Sequence, residues 1–469
     1  MNQTTKILQN SNKSDGHILV VSSHLQGHAA PLLKLSHQIT KFGSKVSFLT
    51  TDFTRERMLE SMNDSDCWNH GIQIISIPDG LKNEDERKDQ KKLYNSVHKV
   101  MGGYLEDLLN TTNRFRSTTS NEDRITGVVI DSPLAFMSGI PKKMGIKIAI
   151  FWCSTPGCLA LGLKIPQLIE TKFIDKDGTP LVNEEKIHLL PNMPAMTNTD
   201  LLWYFPGDIN IQKDIFRLIK DTIHHLQNAD WIICNWFHEL VPSASNLIPN
   251  LLSVGPLLAN GLSSGSFCTE DSTCLTWLDK QSKSSVVYVA FGSTSRYNQQ
   301  QLDELANGLE SMGHPFLWVA WSGLSNGAFP TYSNEFKERV ANRGKIVEWA
   351  PQELVLSHPS IACFITHCGW SSFLESLSMG VPLLCWPYFG DQLYTQTCIC
   401  DSWRVGMLLK PDENGIISRY EIMHKVDQLL LDGNVRENVQ KLKEIATKSI
   451  SKGGSSSINL EYLVEQMKC

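Results

Sequence analysis

WAPQELVLSHPSIACFITHCGWSSFLESLSMGVPLLCWPYFGDQ, from Trp349 to Gln392, is the stretch on which the reading of this chain turns. An aromatic leads it. A short apolar run ends at His367 and gives way to Cys-Gly-Trp-Ser-Ser. A helical segment with an internal acid, Glu375, follows, and a second apolar run ends in Gly-Asp-Gln. Strand, turn, helix and strand in that order make one unit of a parallel α/β sheet, whose ligands lie beyond the carboxyl ends of the strands. Successive loops therefore carry a flat stacking surface, a phosphate-binding turn, an acid for a diol and a carboxylate–amide pair. Those are the groups needed to hold a nucleotide sugar.

Outward from this stretch the same rhythm continues. In the second half, strands are predicted over 284–293, 315–320, 344–350, 361–367, 382–389 and 405–410, with clear helices over 299–312 and 418–433. In the first half they are predicted over 16–23, 45–51, 72–78, 125–132, 146–154 and 230–237. Short continuous apolar runs between helical segments mark parallel sheets covered on both faces. The fold class is α/β: two facing Rossmann-like domains with a cleft between them. Residues 1–15 read as a loose polar tail, 16–250 as the first domain, the Pro/Gly/Ser-rich 251–267 as a linker and 268–450 as the second domain. A last helix within 451–469 is expected to pack back on the first domain. The Pro-, Met- and aromatic-rich region 160–225 lacks periodicity and reads as loops and short helices.

Composition narrows the function. The chain has 469 residues, 41% hydrophobic and 20% charged, with a formal net charge of -6. This is globular composition, with no basic stripe for nucleic acid. No run of signal-peptide length opens the chain and none later reaches membrane-spanning length. A cytoplasmic monomer is expected, with inert Asn-x-Ser/Thr triplets at Asn2, Asn12, Asn63 and Asn110. The twelve cysteines read as buried thiols, and Cys398-x-Cys400 has the wrong spacing for a metal knuckle. There is no Gly-x-x-x-x-Gly-Lys-[Ser/Thr] loop, and no Gly-x-Gly-x-x-Gly to support an NAD-linked oxidoreductase.

Each candidate residue has a functional and a structural reading. The Trp349 indole suits stacking on uracil, or an ordinary core. Ala350 offers backbone groups to the base edge, and Gln352 reaches for a ribose hydroxyl. His367 and Ser372 complete a diphosphate cradle at a helix N-terminus, where the dipole favours anions. Ser293, and more weakly Ser295, face it from the preceding loop. Glu375 fits either a diol or a capping box begun by Ser372. Asp391 and Gln392 suit vicinal sugar hydroxyls, or a turn. In the first half, His28 is predicted on the loop entering the first helix, where a neutral imidazole is favoured and can act as a base. Asp131 ends a strand, where it can orient His28 or cap the helix begun by Ser-Pro.

The 44-residue stretch resembles, without gaps, the signature of plant secondary-product glycosyltransferases, the UDP-dependent inverting family of GT-B fold. Gln-Gly-His-x-x-Pro-Leu around His28, Ile77-Pro-Asp-Gly-Leu81 and Tyr288-Val-Ala-Phe-Gly-Ser293 are similar too. The resemblance implies that His28 is the catalytic base with Asp131 behind it. It implies a donor site of Ser293, Trp349, Ala350, Gln352, His367, Trp370, Ser371, Ser372, Glu375, Asp391 and Gln392, with Glu375 on the ribose diol. Gln392 at the end and Trp370 in place of an Arg imply UDP-glucose. Two residues depart from the pattern: Ser371 replaces a usual Asn, and His24 replaces a usual Pro and joins the acceptor candidates. Those are otherwise Phe136, Trp152, Met193, Trp203 and Phe389, which suggest a flat apolar aglycone, a phenolic first. No metal and no further cofactor are expected. A non-catalytic sugar-nucleotide binder is the alternative; the presence of both His28 and Asp131 argues against it.

Overall fold

Runs rich in Val, Ile and aromatics pair into two sheets in which every ladder is parallel. The computed structural model describes residues 16–61, 71–82, 86–87, 89–114, 124–182, 186–259, 266–321, 324 and 334–468. The first sheet comprises β1 (His17–Val21), β2 (Lys45–Thr51), β3 (Ile72–Ile77), β4 (Ile125–Asp131), β5 (Lys147–Trp152), β6 (Trp231–Cys234) and β7 (Leu251–Ser253). The second comprises β8 (Val286–Ala290), β9 (Phe316–Val319), β10 (Gly344–Val347), β11 (Ile361–Thr366), β12 (Leu383–Cys385) and β13 (Gly406–Leu408). Their orders are β3-β2-β1-β4-β5-β6-β7 and β10-β9-β8-β11-β12-β13. Each sheet thus reverses direction once, between β1 and β4 and between β8 and β11. At such a reversal the connections leave toward opposite faces and open a crevice at the strand ends.

Three expectations need amendment. The expected linker 251–267 begins as β7, whose Leu251 and Leu252 pair with Ile232 and Ile233; residues 260–265 lie outside the described residues, as does the expected tail 1–15. The region 160–225 is more regular than predicted. It holds a helix Pro156–Glu170 and a 17-residue helix Ile209–His225. Asp208 starts the latter by accepting from Asn210 N and Ile211 N, and it buries Gln212, Phe216, Ile219 and Thr222. That spacing of four, three and three is helical; the surrounding aromatic-rich sequence masked it. Trp349 lies two residues beyond β10 instead of ending it.

The chain's last helix, Ser455–Met467, belongs structurally to the first sheet. Leu460, Leu463, Val464 and Met467 share a core with Ile18, Val20, Phe48, Val129 and Phe151. Gly127 makes the close approach possible, since a Cβ there would sit 2.8 Å from the Met467 Cβ. Asn459 Nδ2 donates to Ser253 O at 2.9 Å, and Lys468 Nζ to Phe42 O at 2.9 Å. The second lobe is therefore tied to the first at both ends of its sequence. Leu463 is 0% exposed, so Leu463→Ala is expected to cost about 2–5 kcal/mol, read as a lower urea midpoint for the first lobe.

Candidate active site

The first half of the site sits at the reversal in the first sheet. Val21 of β1 pairs with Ile130 of β4, so the residues following the two strands are neighbours. The helix Gln26–Thr40 starts at Leu25. His28 is therefore in the first helical turn, not on the loop before it. Asp131, fully buried, holds His28 Nδ1 at 2.9 Å from Oδ1 and 3.1 Å from Oδ2, and accepts from Ser23 N at 3.2 Å. The Asp131 side chain makes no cap bond to the segment Ser132–Ser138 that follows; its contacts go to His28 and Ser23 instead. With Nδ1 donating to the carboxylate, Nε2 is the nitrogen free to accept a proton.

The electrostatics correct the sequence reading. A helix N-terminus disfavours a cation, and burial alone pushes the imidazole's pKa down. Burial is the largest single effect, but the Asp131 charge and hydrogen bond together with Cys153 outweigh it, and His28 is raised well above its ordinary value. Burial raises the Cys153 thiol itself. Its Sγ lies 3.1 Å from Nδ1 and 3.2 Å from Nε2. A sulfur equidistant from both nitrogens and in the ring plane would overlap Cε1, so it stacks over the ring face. His28, Asp131 and Cys153 are the one cluster among the described residues with metal-ligand proximity. The sulfur lies where no imidazole lone pair points and Nδ1 is occupied, so the set is not arranged for an ion.

The second half of the site mirrors the first. Ala290 of β8 pairs with Thr366 of β11, which brings the loop of Ser293 against His367. The His367 ring is walled by two glycines: a Cβ on Gly292 (φ +67°) would lie 2.6 Å from Nε2, and one on Gly369 would also collide with it. Burial pushes His367 down to about 4, so it is a neutral donor, and its Nδ1 has no hydrogen-bond partner. Cys368, at φ +65°, turns the chain into the helix Trp370–Met379, whose N-cap Gly369 supplies no side-chain cap. An unpartnered buried imidazole beside bare helical N–H groups fits an anion such as diphosphate. Ser293 is half-buried on the facing loop; Ser295 is fully buried.

Around Glu375 the side chains are already networked. Gln352 Nε2 donates to Glu375 Oε2 at 2.7 Å and to Ser372 Oγ at 3.0 Å, and Tyr288 Oη reaches Gln352 Oε1 at 3.3 Å. Because the helix begins at Trp370, Ser372 is its third residue and not its cap, which removes the capping-box reading of Glu375. Lys34, from the first-lobe helix Gln26–Thr40, donates to Glu375 Oε1 at 2.6 Å and also pairs with Glu353. The sequence reading missed Lys34. The available signal was a lysine between Leu33 and Leu35 on a helix that is buried almost all round.

Asp391 opens the helix Asp391–Thr397 after Gly390. Burial raises its pKa; Ser154 and the positive charge of His28 oppose the rise. This second-lobe carboxyl thus lies within electrostatic reach of the first-lobe base. Gln392 Oε1 accepts from Tyr388 N at 2.9 Å and Phe389 N at 3.3 Å. Its carbonyl is spent on its own turn, which leaves its amide as the donor beside the Asp391 acceptor. Trp349 is half-buried next to buried Ala350, and Ser371 is half-buried.

Several expected site residues belong to the core. Trp370 is buried, donates its indole N–H to Asn235 O of the first lobe at 2.7 Å, and packs on Phe373 and Trp403. It bolts the lobes together instead of facing a donor. Trp203 is 0% exposed, bonded to Gly178 O and edge-on to Phe216. Trp152 is buried with its N–H on Thr155 O. Phe136 is half-buried and stacks on His98 at 3.9 Å. Met193 lines a separate open groove of about 610 Å³ with Asp200, Thr397 and Ser402. Phe389 joins Phe205 and Tyr388 in a partly exposed aromatic cluster beside Gly390, whose N–H donates to Tyr204 O at 2.9 Å. Phe205 and Tyr388 were not among the expected acceptor residues. His24 is half-buried on the loop after β1.

This geometry agrees with what the chain is similar to. The family described as UDP-glucoronosyl and UDP-glucosyl transferase matches residues 219–449. UDP-glycosyltransferase 83A1 of Arabidopsis thaliana is 38% identical over 98% of both chains, and 7-deoxyloganetin glucosyltransferase of Catharanthus roseus 32% over 96% of each. Os79 from O. sativa in complex with UDP superposes with a TM-score of 0.80 at 22% identity, covering 96% of this chain and all of that one. Phytolacca americana UGT2, complexed with UDP-2fluoro-glucose and pterostilbene, gives 0.78 at 25% identity over 97% and 100%. The fold is GT-B. The chain belongs to the plant UDP-glycosyltransferases, enzymes that transfer a glycosyl group from a UDP-sugar to an acceptor.

Since His28 must be neutral to accept a proton and its pKa is raised, kcat/KM is expected to climb with pH through an apparent pKa above 6.5. Asp131→Asn removes the raising charge and leaves the lowering effect of burial. Its acid limb is expected at lower pH than the parent's, with a reduced plateau. A pH–rate profile of both proteins checks the sign.

Proposed function

We propose that the protein transfers glucose from UDP-glucose to a hydroxyl of a small, flat, largely apolar aglycone, a phenolic first among them, and produces a β-glucoside. One observation carries the reading: His28 is held through Nδ1 by Asp131 on the first lobe, and Gly390, which leads directly into Asp391 of the second lobe, donates its N–H to Tyr204 O of the first at 2.9 Å. A base from one lobe and a hydroxyl-binding carboxyl from the other then converge where an anomeric carbon must sit.

The mechanism is a single in-line displacement. His28 Nε2 takes the acceptor proton while Asp131 stabilises the imidazolium that forms. The acceptor oxygen attacks the anomeric carbon, and UDP departs from the opposite face with inversion. His367 and the N-terminus of the helix Trp370–Met379 receive the charge that develops on the diphosphate. Binding both substrates in one cleft supplies much of the remaining acceleration. Trp349 and Ala350 hold the base, and Gln352 and Glu375 the ribose. Asp391 and the Gln392 amide hold the sugar hydroxyls, which favours glucose; a glucosyltransferase among the similar proteins supports this choice. Ser371 narrows that contact to one donor. Phe205, Tyr388 and Phe389 form the apolar wall for the acceptor, with Phe136 beyond. The reading takes the enzyme as a metal-independent cytoplasmic monomer; no described helix is long and apolar enough to cross a membrane, and the described cysteines are free thiols.

Incubation with UDP-glucose and a panel of phenols and aliphatic alcohols, following UDP release and the anomeric configuration of the product, tests the proposal. A β-glucoside that forms with added chelator present is the expected outcome. His28→Ala is expected to lower kcat by about 10²–10⁴-fold while UDP affinity stays near that of the parent. Release of UDP with an α-linked product, or equal loss of turnover and UDP binding in His28→Ala, would contradict it.

A further inference from the structure

We propose that Lys34 is a positioning residue of the donor site: it reaches across the lobe boundary to hold the Glu375 carboxylate rotated for the ribose diol. The inference rests on the reading of Glu375 as the ribose-binding acid. Lys34 is 3% exposed and grows from the same helix as His28, six residues further on, about 9 Å along the axis. Its ammonium pairs with Glu375 Oε1 at 2.6 Å and with Glu353, both from the second lobe.

The hydrogen-bond inventory of Glu375 shows what this arrangement does. An ionised carboxylate offers about four lone-pair directions. Lys34 fills one on Oε1, and Gln352 Nε2, at 2.7 Å, fills one on Oε2. One direction remains on each oxygen, the number two vicinal O–H donors require. The carboxylate is also fixed in rotation before the nucleotide arrives. Without the ammonium, the buried Glu375 and Glu353 would lose the cation that lies between them and fixes the rotation of Glu375.

Glu353 extends the connection. Its oxygens accept from Ala259 N at 3.1 and 2.9 Å, at the end of the described interlobe segment. A single ammonium therefore links the base-bearing helix, the chain between the lobes and the ribose acid. The ribose pocket is completed by the lobe that does not otherwise bind the nucleotide.

The test compares UDP with 2′,3′-dideoxy-UDP, which lacks the diol, by calorimetric titration of the full chain. The parent is expected to prefer UDP by at least about tenfold, and Glu375→Gln to lose that preference. Lys34→Met is expected to weaken UDP by about tenfold while leaving the dideoxy analogue nearly unchanged, and Lys34→Arg to recover part of the preference. Should Lys34→Met fold poorly, Lys34→Met with Glu353→Gln keeps the net charge of the cluster and is expected to show the same loss of diol preference. Equal weakening of both nucleotides in these variants, or an intact diol preference, overturns the role of Lys34 and leaves Glu375 as read. No preference in the parent overturns the reading of Glu375 itself, and the proposal with it.

Discussion

A buried imidazole–carboxylate pair, His28 with Asp131, is the constraint around which this enzyme is arranged. Asp131 is wholly enclosed and accepts from His28 Nδ1 and Ser23 N. An enclosed carboxylate is tolerable only when its oxygens are paired. Here its partners also fix which ring nitrogen is basic. The raised His28 pKa follows from the same contact. The same carboxylate thus both orients the imidazole and adds to its basicity.

The rest of the molecule brings a donor to that base. Both sheets reverse their strand order once, and each reversal sets two loops side by side. One reversal sets His28, in the first helical turn after β1, beside Asp131 at the end of β4; the other sets the loop of Ser293 beside His367. The lobes are joined by contacts that serve both packing and ligand geometry: Trp370 on Asn235, Gly390 on Tyr204, Lys34 on Glu353 and Glu375. The last helix crosses back to cover the first sheet. A change at the lobe boundary therefore moves His28 relative to Asp391.

Much of the candidate site was readable in advance because short-range chemistry specifies it. Strand ends, the His-Cys-Gly turn at His367 and the Asp-Gln pair are each local in sequence, and so is the turn that presents each of them. Tryptophans were misread for the opposite reason. An indole is equally at home on a ligand and in a core, and nothing local distinguishes Trp349, half-exposed, from Trp203 and Trp370, both enclosed. β7 was hidden by its brevity inside a Pro/Gly/Ser-rich segment, and the helix Ile209–His225 by its aromatic surroundings.

The sequence by itself determined the class of fold and the place of the loops around His367 and Asp391, because apolar periodicity and turn chemistry act over a few residues; the roles read for His28 and Asp131 came from the resemblance. Only the tertiary structure decided the charge preference of His28, the place of Cys153 over its ring, the inward turn of Trp370 and the partnership of Lys34 with Glu375, 341 positions away. These depend on which groups are desolvated together. Burial and Coulomb interactions act through space, between residues whose separation along the chain carries no record of their contact.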